Sequence, residues 1–213
     1  MRNDSGCAYC HGALNAGSPS RPAWDRVLLE FPNFIVVPTK GALLPGWLLV
    51  ISKAHTLCTG FLDDVAQTEL RSVIESAAEL VRSRFGEPTL FEHGPSTEGT
   101  VLGCGVDHLH IHVAPLPFSL RGAADKLNND LHWQRIDSFV HLKRLSENNE
   151  SYCWVREPGD LGPYVCSPAP KVRQFLRRAI ASELGRPDEF DYATYPELSI
   201  VQETLNSLLT PVR

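Results

Sequence analysis

The chain has 213 residues, a length that suits one large domain or two small ones. At 43% hydrophobic and 21% charged it reads as globular, and a net charge of −5 argues against sequence-blind binding to a nucleic-acid duplex. No apolar run reaches membrane length and Met1-Arg2-Asn3-Asp4 is no signal peptide, so a cytoplasmic protein with six reduced cysteines is expected.

Cys7-Ala-Tyr-Cys10 comes first, followed by His11. Alone, a CxxC is open to zinc, redox chemistry or accident. Residues 18–22 read as a loop. Val27–Glu30 and Phe34–Val37 are two short strands turning at Pro32-Asn33, and Gly41–Gly46 links them to a third, Trp47–Ser52, ending at His55. Asp63 or Asp64 caps a long helix. Its stripe Leu70, Val73, Ile74, Ala77, Leu80, Val81 and Phe85 recurs at three and four residues until Gly86 stops it.

Pro88–Glu92 is a fourth strand, and a fifth carries His108, His110 and His112 in alternation with Leu109, Ile111 and Val113. Period-two alternation puts the three imidazoles on one face and the aliphatics on the other. The bland alternative is an edge strand with its histidines in water. Gly99, Gly103 and Gly105 lead in, however, and a glycine-rich loop can turn several backbone N–H groups toward one anion. An anion site beside imidazoles is a place for phosphate chemistry.

Residues 119–150 are helical in pieces, with Ile136, Phe139, Val140, Leu142 and Leu145 as an apolar stripe. Ser151–Arg156 and Pro163–Ser167 form a hairpin about Pro158-Gly159-Asp160, and Lys171–Leu184 is a second amphipathic helix ending at Gly185. With no linker before it, 119–213 is expected to pack on 1–118 as an extension. Cys153 and Cys166 are symmetric about the hairpin turn and are expected as free thiols. Gln174 and Arg178 share a helix face; with Arg177 they reach a substrate phosphate or stay solvated.

Three alternating histidines, each followed by a hydrophobic residue, resemble the motif of the histidine-triad (HIT) superfamily. Phe31–Pro38, Pro45–His55 and Phe91–Gly94 stand in that family's order, so the resemblance covers about residues 7–117. It implies an α+β fold, with an antiparallel five-stranded sheet and one long helix, here with a C-terminal α/β extension (119–213) on a HIT domain (1–118). It also implies a nucleotidyl hydrolase or transferase working at the α-phosphate of a nucleoside 5′-phosphate derivative. His110 is then the nucleophile, His112 the phosphate-orienting partner, and a histidine–nucleotide phosphoramidate the intermediate. Transfer to phosphate or a sugar phosphate, and a nucleotide-binding module with incidental turnover, are the alternatives. The partner is a nucleotide or nucleotide conjugate, with no membrane, and the resemblance leaves room for a homodimer.

In the zinc-containing branch the resemblance places a structural zinc on Cys7, Cys10, His55 and His108, a four-coordinate set with no open position. Four positions depart from the common pattern. Trp47 stands where many members have histidine, and Thr39 where many have an acid that grips the ribose. Gly103-Cys104-Gly105 replaces Gly-Gln-Ser/Thr, leaving backbone N–H groups to cradle phosphate, with Cys104 beside the phosphate or a small buried filler. Glu92-His93 stands near the usual place of an asparagine, where either residue serves as leaving-group acid or as a surface pair.

Overall fold

The computed structural model describes residues 6–15, 22–99, 105–167 and 169–210. In chain order they form helix α1 (Ala8–His11), strands β1 (Leu29–Glu30), β2 (Phe34–Pro38) and β3 (Leu48–Ser52), and the long helix α2 (Asp64–Phe85). Strands β4 (Thr89–Gly94) and β5 (His110–Ala114) follow, then α3 (Leu120–Leu127), β6 (Gln134–Arg135) and α4 (Val140–Glu147). The chain continues through β7 (Tyr152–Arg156), β8 (Tyr164–Cys166), α5 (Phe175–Glu183) and α6 (Leu198–Leu209). No helix among the described residues is long and apolar enough to cross a membrane.

The α+β class stands: the five expected strands are β1–β5, and β6–β8 of the extension join the same sheet, eight strands among the described residues. All pair antiparallel in one sheet, ordered β1-β2-β3-β5-β4-β7-β8-β6. The extension is therefore not merely laid on the first domain. It continues the sheet through β4, with Leu90 opposite Arg156 and Gly94 opposite Tyr152. The physical reason is the open edge of β4, whose N–H and C=O groups need partners when both faces of the strand are buried. A second copy of the chain cannot pair at that edge, because β7 occupies it.

Alternation along the strands sorts their side chains onto two covered faces. On one face Phe34, Val36, Val50, Leu90, Ile111, Val113 and Trp154 pack against Leu70, Val73, Ile74, Ala77 and Val81 of α2. Each such aliphatic contributes roughly 1.5–3 kcal/mol by leaving water. The cap is the expected one: Asp63 accepts from the Ala66 N–H at 2.8 Å, and Gly86 ends the helix with φ +98°. Gly46, at φ +86°, is required where the β2–β3 connection crosses α2, since a Cβ there would lie 2.5 Å from the Phe85 ring.

The other face has two separate covers. Phe91, Cys153 and Val155 pack with Trp47 under α3 and α5. Ile35, Val37, Leu49 and Ile51 pack under the N-terminal segment through Ala13, Tyr9 and Leu14. Between these covers the sheet is left partly open, and β5 runs beneath the gap.

Three expectations need correction. β5 begins at His110, so His108 and Leu109 precede the strand. The Leu109 N–H donates instead to Thr56 O, in the turn after β3, and its carbonyl accepts from the Ser52 N–H at the end of β3. The helix expected from Lys171 starts only at Phe175, because Gln174 is held at φ +55°. Finally, α6 had no expected counterpart. It enters from Glu197 at φ +47° with no side-chain cap, so the usual start signal is missing from the sequence.

Candidate active site and metal centre

The first cluster is built from chain segments far apart. Cys7 sits at the N-terminal end of α1 and Cys10 one turn later, so both sulfurs project from the same side. His55 follows β3 and His108 precedes β5. Cys7 Sγ lies 3.3 Å from His108 Nδ1, Cys10 Sγ 3.6 Å from the same nitrogen and 3.5 Å from His55 Nδ1. The four candidate donor atoms all fall within 4.8 Å of one another. Tetrahedral zinc, with Zn–S about 2.3 Å and Zn–N about 2.0–2.1 Å, separates its S and N donors by about 3.5 Å. The residues fit that ion. The His108 Nε2–H donates to Ser52 O at 2.7 Å, which fixes the ring and leaves Nδ1 with its lone pair toward the cluster.

The second cluster lies beside it on β5, at the gap between the two covers. His110 Nδ1 lies 2.6 Å from His108 O. A carbonyl only accepts, so Nδ1 carries the proton and Nε2 the lone pair. His112 is held in the opposite sense. The Trp47 indole N–H, which only donates, bonds to His112 Nδ1 at 3.0 Å, so His112 carries its proton on Nε2. Phe91 stacks on His112 with centroids 4.5 Å apart. Neighbouring rings on one strand thus present a lone pair and an N–H donor.

Burial pushes His110 down to about 4, opposed by its bond to the His108 carbonyl, and holds His112 well below the ordinary imidazole range. His110 and His112 line a pocket with Tyr9, Trp24, Asp25, Thr39, Lys40 and Arg177. Thr39 is therefore at the pocket. Its N–H donates to Trp47 O at 3.1 Å, and its Oγ1 is buried without a hydrogen-bond partner among the described residues.

The remaining expected residues divide. Gly105, at φ +89°, lies beside Tyr192 of the pocket wall: a Cβ there would come within 2.9 Å of the Tyr192 hydroxyl and 3.0 Å of the Arg173 guanidinium. Gly103 and Cys104 lie outside the described residues. Glu92 is not brought to the histidines. Phe91 pairs with His112, so the next residue of β4 points to the opposite face. There the Glu92 carboxylate accepts from Thr59 N–H at 2.8 Å, Trp154 Nε1–H at 2.5 Å and Tyr152 O–H at 3.3 Å. Burial raises its pKa to about 7. His93 does face the histidine side, but its Nε2 accepts the Leu176 N–H at 3.1 Å, tying β4 to the start of α5. Burial, with the His110 and Arg177 charges, lowers it to about 3.

Trp47 and Arg177 are the site residues that sequence reasoning placed least well. Trp47 read as a missing histidine, although an indole N–H is a donor in its own right. Arg177 read as one of three polar residues of the second helix, off the face that Gln174 and Arg178 share. The shifted start of α5 instead buries Arg177 and leaves Arg178 half-buried over the Phe190 ring, 3.5 Å from its centroid.

The family model of the HIT domain matches residues 21–118. No curated protein matches the chain. Among solved structures, it is similar to a hypothetical histidine triad nucleotide-binding protein from Sulfolobus tokodaii. Identity is 23% and the TM-score 0.36, over 42% of this chain and 58% of that one. A HIT family hydrolase from Clostridium thermocellum is 18% identical with a TM-score of 0.42, over 54% of this chain and 94% of that one. A Zn-bound histidine triad family protein from Mycobacterium smegmatis is also 18% identical with a TM-score of 0.42, over 69% and 94% respectively. The chain thus spans little more than half the length of the Sulfolobus protein. Residues 21–118 of this chain thus match a HIT domain, with His108 just before β5 and His110 and His112 on it.

Proposed function

We propose that the protein is a nucleotidyl hydrolase or transferase in which His110 forms a transient bond to the α-phosphorus of a nucleotide or nucleotide conjugate. The observation that carries this reading is the opposed hydrogen bonding of the two strand histidines: His110 Nδ1–H to His108 O, and Trp47 Nε1–H to His112 Nδ1. The first leaves a lone pair on His110 Nε2, and the second leaves a proton on His112 Nε2. In the forward step the Nε2 lone pair forms the N–P bond while the P–O bond to the leaving group breaks, its electron pair departing with oxygen. The leaving oxygen takes a proton from solvent where its basicity requires one. An acceptor oxygen, from water or a second substrate, then forms a P–O bond and loses its proton to solvent. The N–P pair returns to Nε2. His112 Nε2–H donates to a non-bridging oxygen throughout and exchanges no proton.

Cys7, Cys10, His55 and His108 are the residues that hold zinc in this reading. Four protein donors complete a tetrahedral shell, so the ion is structural and leaves no position for substrate. Its contribution is to fix His108, whose carbonyl orients His110. Thiolate ligands suit a reducing compartment, in keeping with a cytoplasmic protein.

The test is rapid mixing with an α-phosphate-labelled nucleotide under acid-free quench. Label should appear on wild-type protein in a burst of at most one equivalent, map to His110 and be absent from His110→Ala. Turnover without any labelled protein would remove the covalent step.

A further inference from the structure

Residues beyond the HIT domain reach the same pocket, and we propose that Arg177, on α5, is the cation that holds the phosphate attacked by His110. The inference rests on the function proposed above and adds a group from outside residues 21–118.

Arg177 is 1% exposed, yet it lines the pocket with His110 and His112. Its Nε–H donates to Phe190 O at 2.9 Å, and one terminal N–H to Gly41 O at 2.5 Å. The guanidinium carbon lies 4.9 Å from the Trp47 ring centroid and 5.9 Å from that of Tyr192. Carbonyl dipoles and ring faces thus fix the orientation of a guanidinium at the wall of the pocket that His110 and His112 line. In a site shielded from water such a cation attracts an anion more strongly than an exposed one does.

The placement relative to the histidines is equally specific. Trp47 is packed against the Arg177 guanidinium and bonded through its indole N–H to His112. The same buried ring therefore fixes both the cation and the N–H donor. When His110 attacks, charge spreads over the non-bridging phosphate oxygens. A planar fork of N–H donors suits two such oxygens better than a point charge does. The guanidinium stays protonated throughout, so it supplies charge and hydrogen bonds and takes no part in proton transfer. The substrate class that follows is a phosphate with two anionic or partly anionic non-bridging oxygens, as in phosphodiesters, phosphoanhydrides and phosphoramidates.

Inorganic phosphate is the probe, titrated by calorimetry into wild type, Arg177→Gln and Arg177→Lys, with adenosine as the uncharged comparison. Arg177→Gln should weaken phosphate binding at least tenfold, Arg177→Lys should recover part of it, and adenosine binding should not move. Phosphate affinity within threefold of wild type in Arg177→Gln overturns the proposal, as does equal weakening of phosphate and adenosine. Wild type that binds no phosphate at millimolar concentration overturns it too. Losing the bonds to Gly41 and Phe190 can leave Arg177→Gln unfolded, and wild-type crystals soaked in tungstate then decide. Tungsten in contact with the Arg177 guanidinium and His112 Nε2 supports the proposal, and tungsten elsewhere or absent defeats it. The two readings fail separately. Label on His110 with phosphate affinity indifferent to Arg177 keeps the nucleophile and removes the cation. Arg177-dependent phosphate binding without label does the reverse.

Discussion

The Trp47 indole N–H and His112 Nδ1 are bonded at 3.0 Å, with the two rings meeting near edge to face at 5.6 Å. Because indole nitrogen only donates, this bond selects one tautomer of His112 and excludes the other. Trp47→Phe keeps an aromatic ring but removes the donor and leaves a gap beside a buried imidazole. We expect a loss of about 1–3 kcal/mol in stability and a fall in kcat of about ten- to a hundredfold. Steady-state kinetics paired with thermal melts check this, and unchanged kcat in a folded variant would show that the tautomer is set elsewhere.

His110→Ala should reduce turnover by several orders of magnitude while leaving the fold and nucleotide binding largely in place. Turnover within tenfold of wild type on any substrate the protein processes would sink the nucleophile assignment.

Metal analysis of fresh protein should find about one zinc per chain. Cys7→Ala or His55→Ala should lose it together with thermal stability, since the four ligands join segments that only the folded chain brings together. His110→Ala should keep its zinc, because the His110 ring is bonded to a carbonyl and not to the thiols. Zinc that follows His110 instead of His55 would reverse the division of labour among the histidines.

Glu92 gives a pH dependence of stability with a defined sign. Burial raises its folded pKa from 4.5 to about 7, so across that window the unfolded chain has released a proton that the folded chain keeps. Stability attributable to Glu92 is therefore full below about 4.5, falls as pH rises and levels off above about 7. Glu92→Gln should flatten this part of the profile. It should also lower overall stability, because three donors converge on the carboxylate and an amide cannot accept from all of them. Urea melts between pH 4 and 8 test both effects, and an unchanged slope in the variant would place the titration on another group.

Truncation after residue 118 removes β7 from the edge of β4 and uncovers Phe91 and Trp47. The shortened protein should aggregate or melt at a lower temperature. A soluble, equally stable and equally active fragment would make the extension dispensable.

What was legible in the sequence was local. Asp63 and Gly86 bound α2 because a cap and a left-handed stop act within one turn, and the strands around residues 29–52 and 89–114 lie within two residues of their expected places. The Cys7, Cys10, His55 and His108 set was reached through family resemblance, and its members do converge. The pairing of β4 with β7 was not legible, since it joins segments about sixty residues apart and any buried strand reads alike from its own residues. The orientation of Glu92 follows from strict alternation with Phe91, a count that the sequence permitted. Arg177 was obscured by a left-handed Gln174 that no propensity announces.

The order of the sheet also sets which parts of the site move on which timescale. β5 lies between β3 and β4, hydrogen-bonded on both sides, whereas the outermost strands β1 and β6 are two residues each. Amide exchange should therefore fray inward from both rims and reach the main chain of His110 and His112 last. Tyr9 rides on a four-residue helix and Arg177 on a nine-residue one, both outside this ladder. His110 and His112 are thus mounted on the slowest-opening strand, while the walls around them can breathe independently to admit and release a ligand.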